Sequence, residues 1–165
     1  MSAAEKERGV VREAGQADVS NLVGLMGLFY AESGYVLDDE RARTGFEALL
    51  ADDRLGRVWL IEPGAGAQAA AGYIVISFVF AMEYGGVAAV VDDFYVRPEA
   101  RGQGVGKAAL AAARRVCVDL GVRAMRVEVG VNNLVAQAVY RGAGFEPLHD
   151  HGVMAAPLAP PSHRE

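Results

Sequence analysis

The chain has 165 residues, of which 52% are hydrophobic and 22% charged, the size and balance of one soluble globular domain. A net charge of −5 and a pI near 5.2 argue against nucleic acid as a partner, which takes a basic face, and are compatible with a cationic one. A single cysteine, Cys117, excludes an intrachain disulfide. The charged start MSAAEKERGV lacks an apolar signal core, and the longest apolar stretch, 69–82, is too short to span a bilayer. The expectation is a cytoplasmic protein with no membrane partner: one domain over residues 1–156, and a disordered tail over 157–165 holding three of the six prolines.

In chain order, residues 9–13 read as a short strand. Asp18 is placed to cap a helix whose Val19, Leu22, Val23, Met26 and Phe29 or Tyr30 form one apolar face, ending near Ser33-Gly34. Asp38 or Asp39 caps a second helix that runs to about Ala51, with Phe46, Leu49 and Leu50 inward. A strand at 57–61, a turn at 63–66 and a long strand at 70–82 follow, and Tyr84-Gly-Gly86 turns the chain back. Residues 87–96 are apolar and β-branched apart from Asp92 and Asp93, a central strand. Pro98 and a charged turn lead to Arg101-Gly-Gln-Gly-Val-Gly106 and then a helix on which Val105, Ala109, Ala113, Val116 and Leu120 recur every three or four positions, with Gly121 as its cap. Cys117 sits in this run as a small buried hydrophobe. Last come a strand at 124–129, a helix at 133–141, a strand at 145–150 and a final strand at 152–155.

Strand, glycine turn and helix N-terminus make an anion site. The first N–H groups of a helix have no intrahelical partner and carry the positive end of its dipole. Glycines at 102, 104 and 106 let the backbone approach phosphate without Cβ obstruction. A Walker A loop fails, because Gly106-Lys107 is followed by Ala108 and Arg101 stands where the first glycine belongs. A dinucleotide fingerprint fails by one residue. Glu128 nonetheless lies about 20 residues on, so a Rossmann-like nucleotide-binding domain stays as an alternative. The antiparallel first half weighs against it.

The spacing that fits is Arg/Gln-x-x-Gly-x-Gly/Ala. With the preceding VDDFYVRPEA it resembles the acyl-CoA-binding motif of the GCN5-related N-acetyltransferase (GNAT) superfamily. A second block, RVEVGVNNLVAQAVYRGAGF at 126–145, matches the family's pattern at Asn133, Ala136, Tyr140, Gly144 and Phe145. Together the two motifs span 87–145, roughly a third of the chain. The resemblance implies an α/β (α+β) fold: a mixed, mostly antiparallel sheet of six to seven strands, about four helices and a central β-α-β acyl-CoA-binding unit. It implies an N-acetyltransferase that moves the acetyl group of acetyl-CoA to a primary amine by direct attack on the thioester, with no metal. The acceptor would be a small-molecule or peptide amine, and the assembly a homodimer. A catalytically silent CoA-binding regulatory module is the alternative within the family.

The resemblance also implies roles. Pantetheine would hydrogen-bond like an added strand to Phe94, Tyr95 and Val96. The pyrophosphate would sit on the N–H groups of Arg101, Gly102, Gln103, Gly104, Val105, Gly106 and Lys107, with charge from Arg101, Lys107 and Arg141. Asn133 is a cofactor contact, a helix N-cap, or both. An alkyl amine has a pKa near 10 and a thiol one of about 8.5, so the reaction needs a proton acceptor for nitrogen and gains from a proton donor for sulfur. Tyr140 matches the family's acid; a plain packing role is the other reading. For the base the candidates are Asp92 and Asp93, adjacent carboxylates in an otherwise apolar strand, with Asp92 at the position where the family often carries an acid; Glu83 from the neighbouring loop is an alternative, which a solvated turn also explains. Strand alternation sends Asp92 and Asp93 to opposite faces. The segment from Phe29 to Tyr35 either borders the acceptor pocket or packs a helix end. His149 and His151 have no third ligand beside them, so no metal site is expected.

Overall fold

Alternate residues of the middle strands feed two separate cores. Val58, Leu60, Tyr73 and Val75 pack on one face of a sheet, while Trp59, Ile61, Ile74 and Ile76 pack on the other. Both faces are covered, so these strands read as continuous apolar runs. The computed structural model describes residues 11–62, 69–149, 152–156 and 158. Its elements are β1 (Val11–Glu13), α1 (Val19–Glu32), α2 (Asp39–Ala51), β2 (Gly56–Ile61), β3 (Gly72–Ala81), β4 (Gly86–Val96), α3 (Val105–Asp119), β5 (Ala124–Val127) and α4 (Leu134–Gly142). The strands lie in the order β1-β2-β3-β4-β5. All neighbours are antiparallel except β4 and β5, which run parallel and are joined through α3.

Leu22, Val23 and Leu25 of α1 and Ala42 and Phe46 of α2 close the first core. Ala109, Leu110, Ala113 and Cys117 of α3, with Tyr140 of α4, close the second. Each fully buried Leu, Ile or Val side chain contributes about 1.5–3 kcal/mol. The expected α2 cap is present: the Arg41 N–H donates to Asp38 Oδ1 at 3.0 Å. Asp18 differs. A 3₁₀ turn at Gln16–Asp18 runs straight into α1, and the Asp18 carboxylate accepts from the Gly15 N–H at 2.8 Å and from Arg12 instead.

Three features depart from the sequence-based expectation. The strands expected at 145–150 and 152–155 are absent among the described residues, leaving five strands in place of six or seven. Pro147 has no N–H to give a ladder, and Leu148, Val153 and Met154 are 61%, 69% and 98% exposed, so nothing covers them. β5 stops at Val127, two residues early. Third, the β3–β4 ladder breaks register: Val75 faces Asp93 and Ile76 faces Val91, which leaves Asp92 as an extra residue on β4. Residues 9 and 10, the turn at 63–66, Asp150, His151 and most of the tail at 157–165 lie outside the described residues.

Gly72 pairs with Val96 so closely that a Cβ there would overlap the Tyr95 carbonyl oxygen. Gly72→Ala is therefore expected to cost about 1–3 kcal/mol in denaturant unfolding. Gly45→Ala, in the open on α2, is expected to stabilise by about 0.5–1 kcal/mol.

Candidate active site

Val91 paired with Val127 is the last rung between β4 and β5. Beyond it β4 continues for five residues to Val96, held by β3 on one side. On the β5 side, no described strand pairs with 92–96. The result is a strand edge without a ladder partner among the described residues. A depression of about 490 Å³ along α2 at Asp38, Arg41 and Thr44, and one of about 330 Å³ beside Phe78, Phe80 and Leu120, lie elsewhere on the surface.

The glycine turn stands at the end of this edge. Gly102 and Gly104 have φ of +75° and +77°, with open space where a Cβ would point. In α3 the Ala108 N–H donates to the Gly104 carbonyl at 3.0 Å. The N–H groups of Val105, Gly106 and Lys107 come before that bond and have no helical acceptor. Left-handed residues so close together turn successive N–H groups to one side, a concavity for an anion. Gly106 lies against β4, where a Cβ would meet Phe94 and Val96 at 3.2 and 3.3 Å. Lys107 is exposed on the first turn of α3, and Gln103 reaches back to the Glu99 carbonyl at 3.1 Å.

Arg101 is engaged differently from the expected phosphate contact. Its Nη1 and Nη2 meet Glu32 Oε1 and Oε2 at 2.7 Å each, and its Nε–H donates to the Val96 carbonyl at 2.8 Å. The guanidinium carbon lies 5.7 Å from the Tyr95 ring centroid. Its backbone N–H donates to Pro98. Arg101 thus ties the end of α1 to the start of the glycine turn. Glu32 is held below its ordinary pKa by the Arg101 hydrogen bonds.

The second motif is a self-capped helix that aims Tyr140. Asn133 Oδ1 accepts from the Ala136 N–H at 3.0 Å, closing the start of α4. Gly144, at φ +87°, turns the chain after its end, and Phe145 comes back with its ring 5.4 Å from that of Tyr140. Phe94 stands on the other side of Tyr140 at 6.2 Å. Tyr140 is buried, and its hydroxyl makes no hydrogen bond among the described residues. Burial, with a smaller contribution from the Asp93 carboxylate, pushes the phenol up to about 12, so it keeps its proton at neutral pH. A group that must hand a proton to a thiolate needs that property. Arg141 contacts Gln137, one turn earlier on α4.

The acidic candidates separate. Glu83 lies in a 3₁₀ turn beyond β3, paired with Arg126 Nη1 at 3.4 Å. That is the far end of β4, roughly 20 Å from Asp92 at the rise of a strand. Asp92 is exposed, while Asp93 is partly buried and accepts from the Tyr73 hydroxyl at 2.8 Å. Burial raises the Asp93 pKa, the Tyr73 hydrogen bond lowers it, and Asp92 raises it further. The Tyr30 phenol on α1 is pushed up by burial and then by Asp93 and Asp92. Asp93 is held on the α1 side by Tyr73, and the negative charge of both carboxylates reaches Tyr30. The segment 29–35 faces this place: Phe29 lies 5.7 Å from the Tyr95 ring, and Tyr30 lies 6.1 Å from Tyr35. Sequence reasoning did not single out Tyr73, a lone hydroxyl in an apolar strand.

A family model described as "Acetyltransferase (GNAT) family" matches residues 22–145. A crystal structure of an integron cassette protein from the mobile metagenome of Cole Harbour Salt Marsh is 43% identical, with 98% of each chain covered and a TM-score of 0.83. A structure of AAC(6')-Iy in complex with a bisubstrate analog, CoA-S-monomethyl-acetylneamine, is 19% identical, with 90% of this chain and 97% of that one covered and a TM-score of 0.74, which is a likeness of fold. An aminoglycoside N(6')-acetyltransferase type 1 of Stenotrophomonas maltophilia is 34% identical over 70 residues, 42% of this chain. The match spans 46% of that relative's length.

Asn133→Ala is expected to cost about 1 kcal/mol of stability through loss of the cap. Asn133→Asp, which still caps, is expected to restore most of it. Thermal unfolding of the two variants reads the difference.

Proposed function

The chain belongs to the acetyltransferase (GNAT) family, and we propose that it moves the acetyl group of acetyl-CoA to a primary amine of a small cationic molecule. The observation that carries this reading is the turn of free N–H groups at 105–107, set at the end of a strand edge that lies open beyond Val91. The turn suits a pyrophosphate, and the edge suits an extended amide-bearing arm. Acetyl-CoA supplies the thioester and the thiolate leaving group. The residues of the chain bind, orient and move protons.

The N–H groups of the turn, with Lys107, hold the phosphates. Phe94, Tyr95 and Val96 offer their backbone to the arm. Tyr140, protonated at neutral pH and buried between Phe94 and Phe145, gives its proton to the departing sulfur. One carboxylate of the Asp92–Asp93 pair receives the proton that nitrogen loses. The acceptor enters from the α1 side, where Asp92, Asp93, Tyr30 and Tyr35 combine negative charge with aromatic faces, a setting that favours a cation. The aminoglycoside acetyltransferase matched over 70 residues supports an acceptor of polyamine or aminoglycoside chemistry.

Gly104→Asp puts a side chain on a left-handed residue and a negative charge on the phosphate turn. Calorimetry is expected to show acetyl-CoA affinity falling by at least tenfold; unchanged affinity removes the phosphate assignment. Tyr140→Phe keeps the ring and its packing and deletes the proton. Its kcat is expected to drop by about 10²- to 10⁴-fold with acetyl-CoA binding nearly unaffected. A lower melting temperature with near-normal kcat would make Tyr140 a packing residue only. Acetyl-CoA binding without turnover over a panel of amines would point to a silent CoA-binding module.

A further inference from the structure

Tyr73 has no assigned part in this scheme, and Asp93 shares its part with Asp92. Tyr73 is fully buried in the first core, where Phe46 of α2 packs on its ring at 6.1 Å. Its hydroxyl donates to Asp93 Oδ2 at 2.8 Å. Asp93 Oδ1 has no hydrogen-bond partner among the described residues, and it is not sealed from solvent. No cation pairs with the carboxylate among them. One oxygen is therefore clamped and the other is left open, beside the free edge of β4. A hydrogen bond made only to satisfy a buried tyrosine does not require a carboxylate, which is costly to desolvate without a cation.

The neighbouring residues give the pair a direction. Phe94 follows Asp93 and packs through the other face of the sheet against Tyr140. The two proton-transfer groups would thus come from opposite faces of one strand, one residue apart in register. We propose that Asp93 is the group that receives the amine proton, and that Tyr73 is the positioning residue that holds it for that task. This rests on the acetyl-transfer reading above. As the N–C bond forms and the C–S bond breaks, nitrogen gives one proton to Asp93 Oδ1 and sulfur takes one from Tyr140. Solvent restores both groups after release. Asp92, the bulged residue, lies exposed with no hydrogen-bond or ion-pair partner among the described residues, and its extra length in the strand sets the position of Asp93.

Tyr73 from β3 touches Asp93, and the charged or titratable groups that couple to it through space are Asp92 from β4, Tyr30 from α1 and, across the sheet, Tyr140 from α4. From α2 the apolar Phe46 packs on the Tyr73 ring. The Tyr73 hydrogen bond favours the ionised carboxylate, so its loss raises the Asp93 pKa. The carboxylate works ionised, so kcat/KM, corrected for the fraction of neutral acceptor amine, rises with pH through that pKa.

The test is the pH dependence of kcat/KM for the whole chain, with acetyl-CoA as donor and neamine and spermidine as acceptors. Tyr73→Phe is expected to move the acid limb up by about one pH unit while the plateau changes little. Asp93→Asn is expected to abolish the limb and lower kcat by about 10²- to 10⁴-fold, with Asp93→Glu restoring part of it and acetyl-CoA affinity kept. Asp92→Asn is expected to keep the limb but move it to lower pH, because the Asp92 charge raises the Asp93 pKa. A core-only role for the pair predicts a lower melting temperature with an unmoved limb, and that result overturns the proposal. So does an Asp93→Asn enzyme within about threefold of wild type. If the wild type transfers acetyl to neither acceptor while it binds acetyl-CoA, the transferase reading itself fails, and the variants are not the cause.

Discussion

Asp92 has no partner on β3. The ladder passes from Ile76–Val91 to Val75–Asp93 and skips it, and the faces of β4 exchange at that point. Val91 packs into the core under α3, whereas Tyr95 packs into the core under α1 and α2, although strict alternation would put both on one face. From the bulge onward, Asp93 and Tyr95 look toward α1, and Phe94 looks toward α4. The same point is where β5 ceases to follow β4. One inserted residue therefore reverses the side-chain faces, coincides with the opening of a strand edge and turns Asp93 toward Tyr73 in the first core. The cost is a lost pair of ladder bonds. It is tolerated because residues 72–76 of β3, beside the bulge, are buried on both faces and the strand pairs with β4 along its whole length.

The site is assembled from parts that are each capped locally and joined by few long-range ties. α4 carries its own start and stop in Asn133 and Gly144, and Arg114 of α3 donates to the Ala143 carbonyl at 2.8 Å, so the two helices keep a fixed offset. The Arg101–Glu32 pair does the same between α1 and the glycine turn. At about 45% exposure on each side chain such a pair contributes little to global stability. Its value lies in geometry: a fork-to-fork pair admits one orientation, and the added bond to Val96 fixes the turn relative to the strand edge.

The elements with long periodicity were legible in the sequence. The apolar repeat of α3, the glycine turn and the spacing from Asn133 to Phe145 appear where the pattern puts them, because each is decided within a few residues of itself. What failed to show is decided by partners. Nothing local to Asp92 announces a bulge, since the mismatch exists only against β3. The pairing of Arg101 depends on a glutamate 69 residues away in the chain. Residues 145–149 alternate like a strand, yet among the described residues no neighbour offers them a ladder. Glu83 looked close to Asp92 in the chain and is remote in space, because a strand travels about 3.3 Å per residue in one direction. Tyr73 was hidden by its own apolar surroundings, and only the hydroxyl's partner makes it noteworthy.

Cys117 is 2% exposed inside α3, and burial pushes its thiol up, away from the reactive thiolate. The molecule therefore carries a single natural timer for its own breathing. A thiol-directed reagent has one thiol to reach, and it reaches it only when α3 lifts from the sheet, so the labelling rate measures how often that half of the fold opens. While α3 stays seated, the protein is silent toward disulfide dyes, and any coloured thiol in such a mixture has come from another molecule.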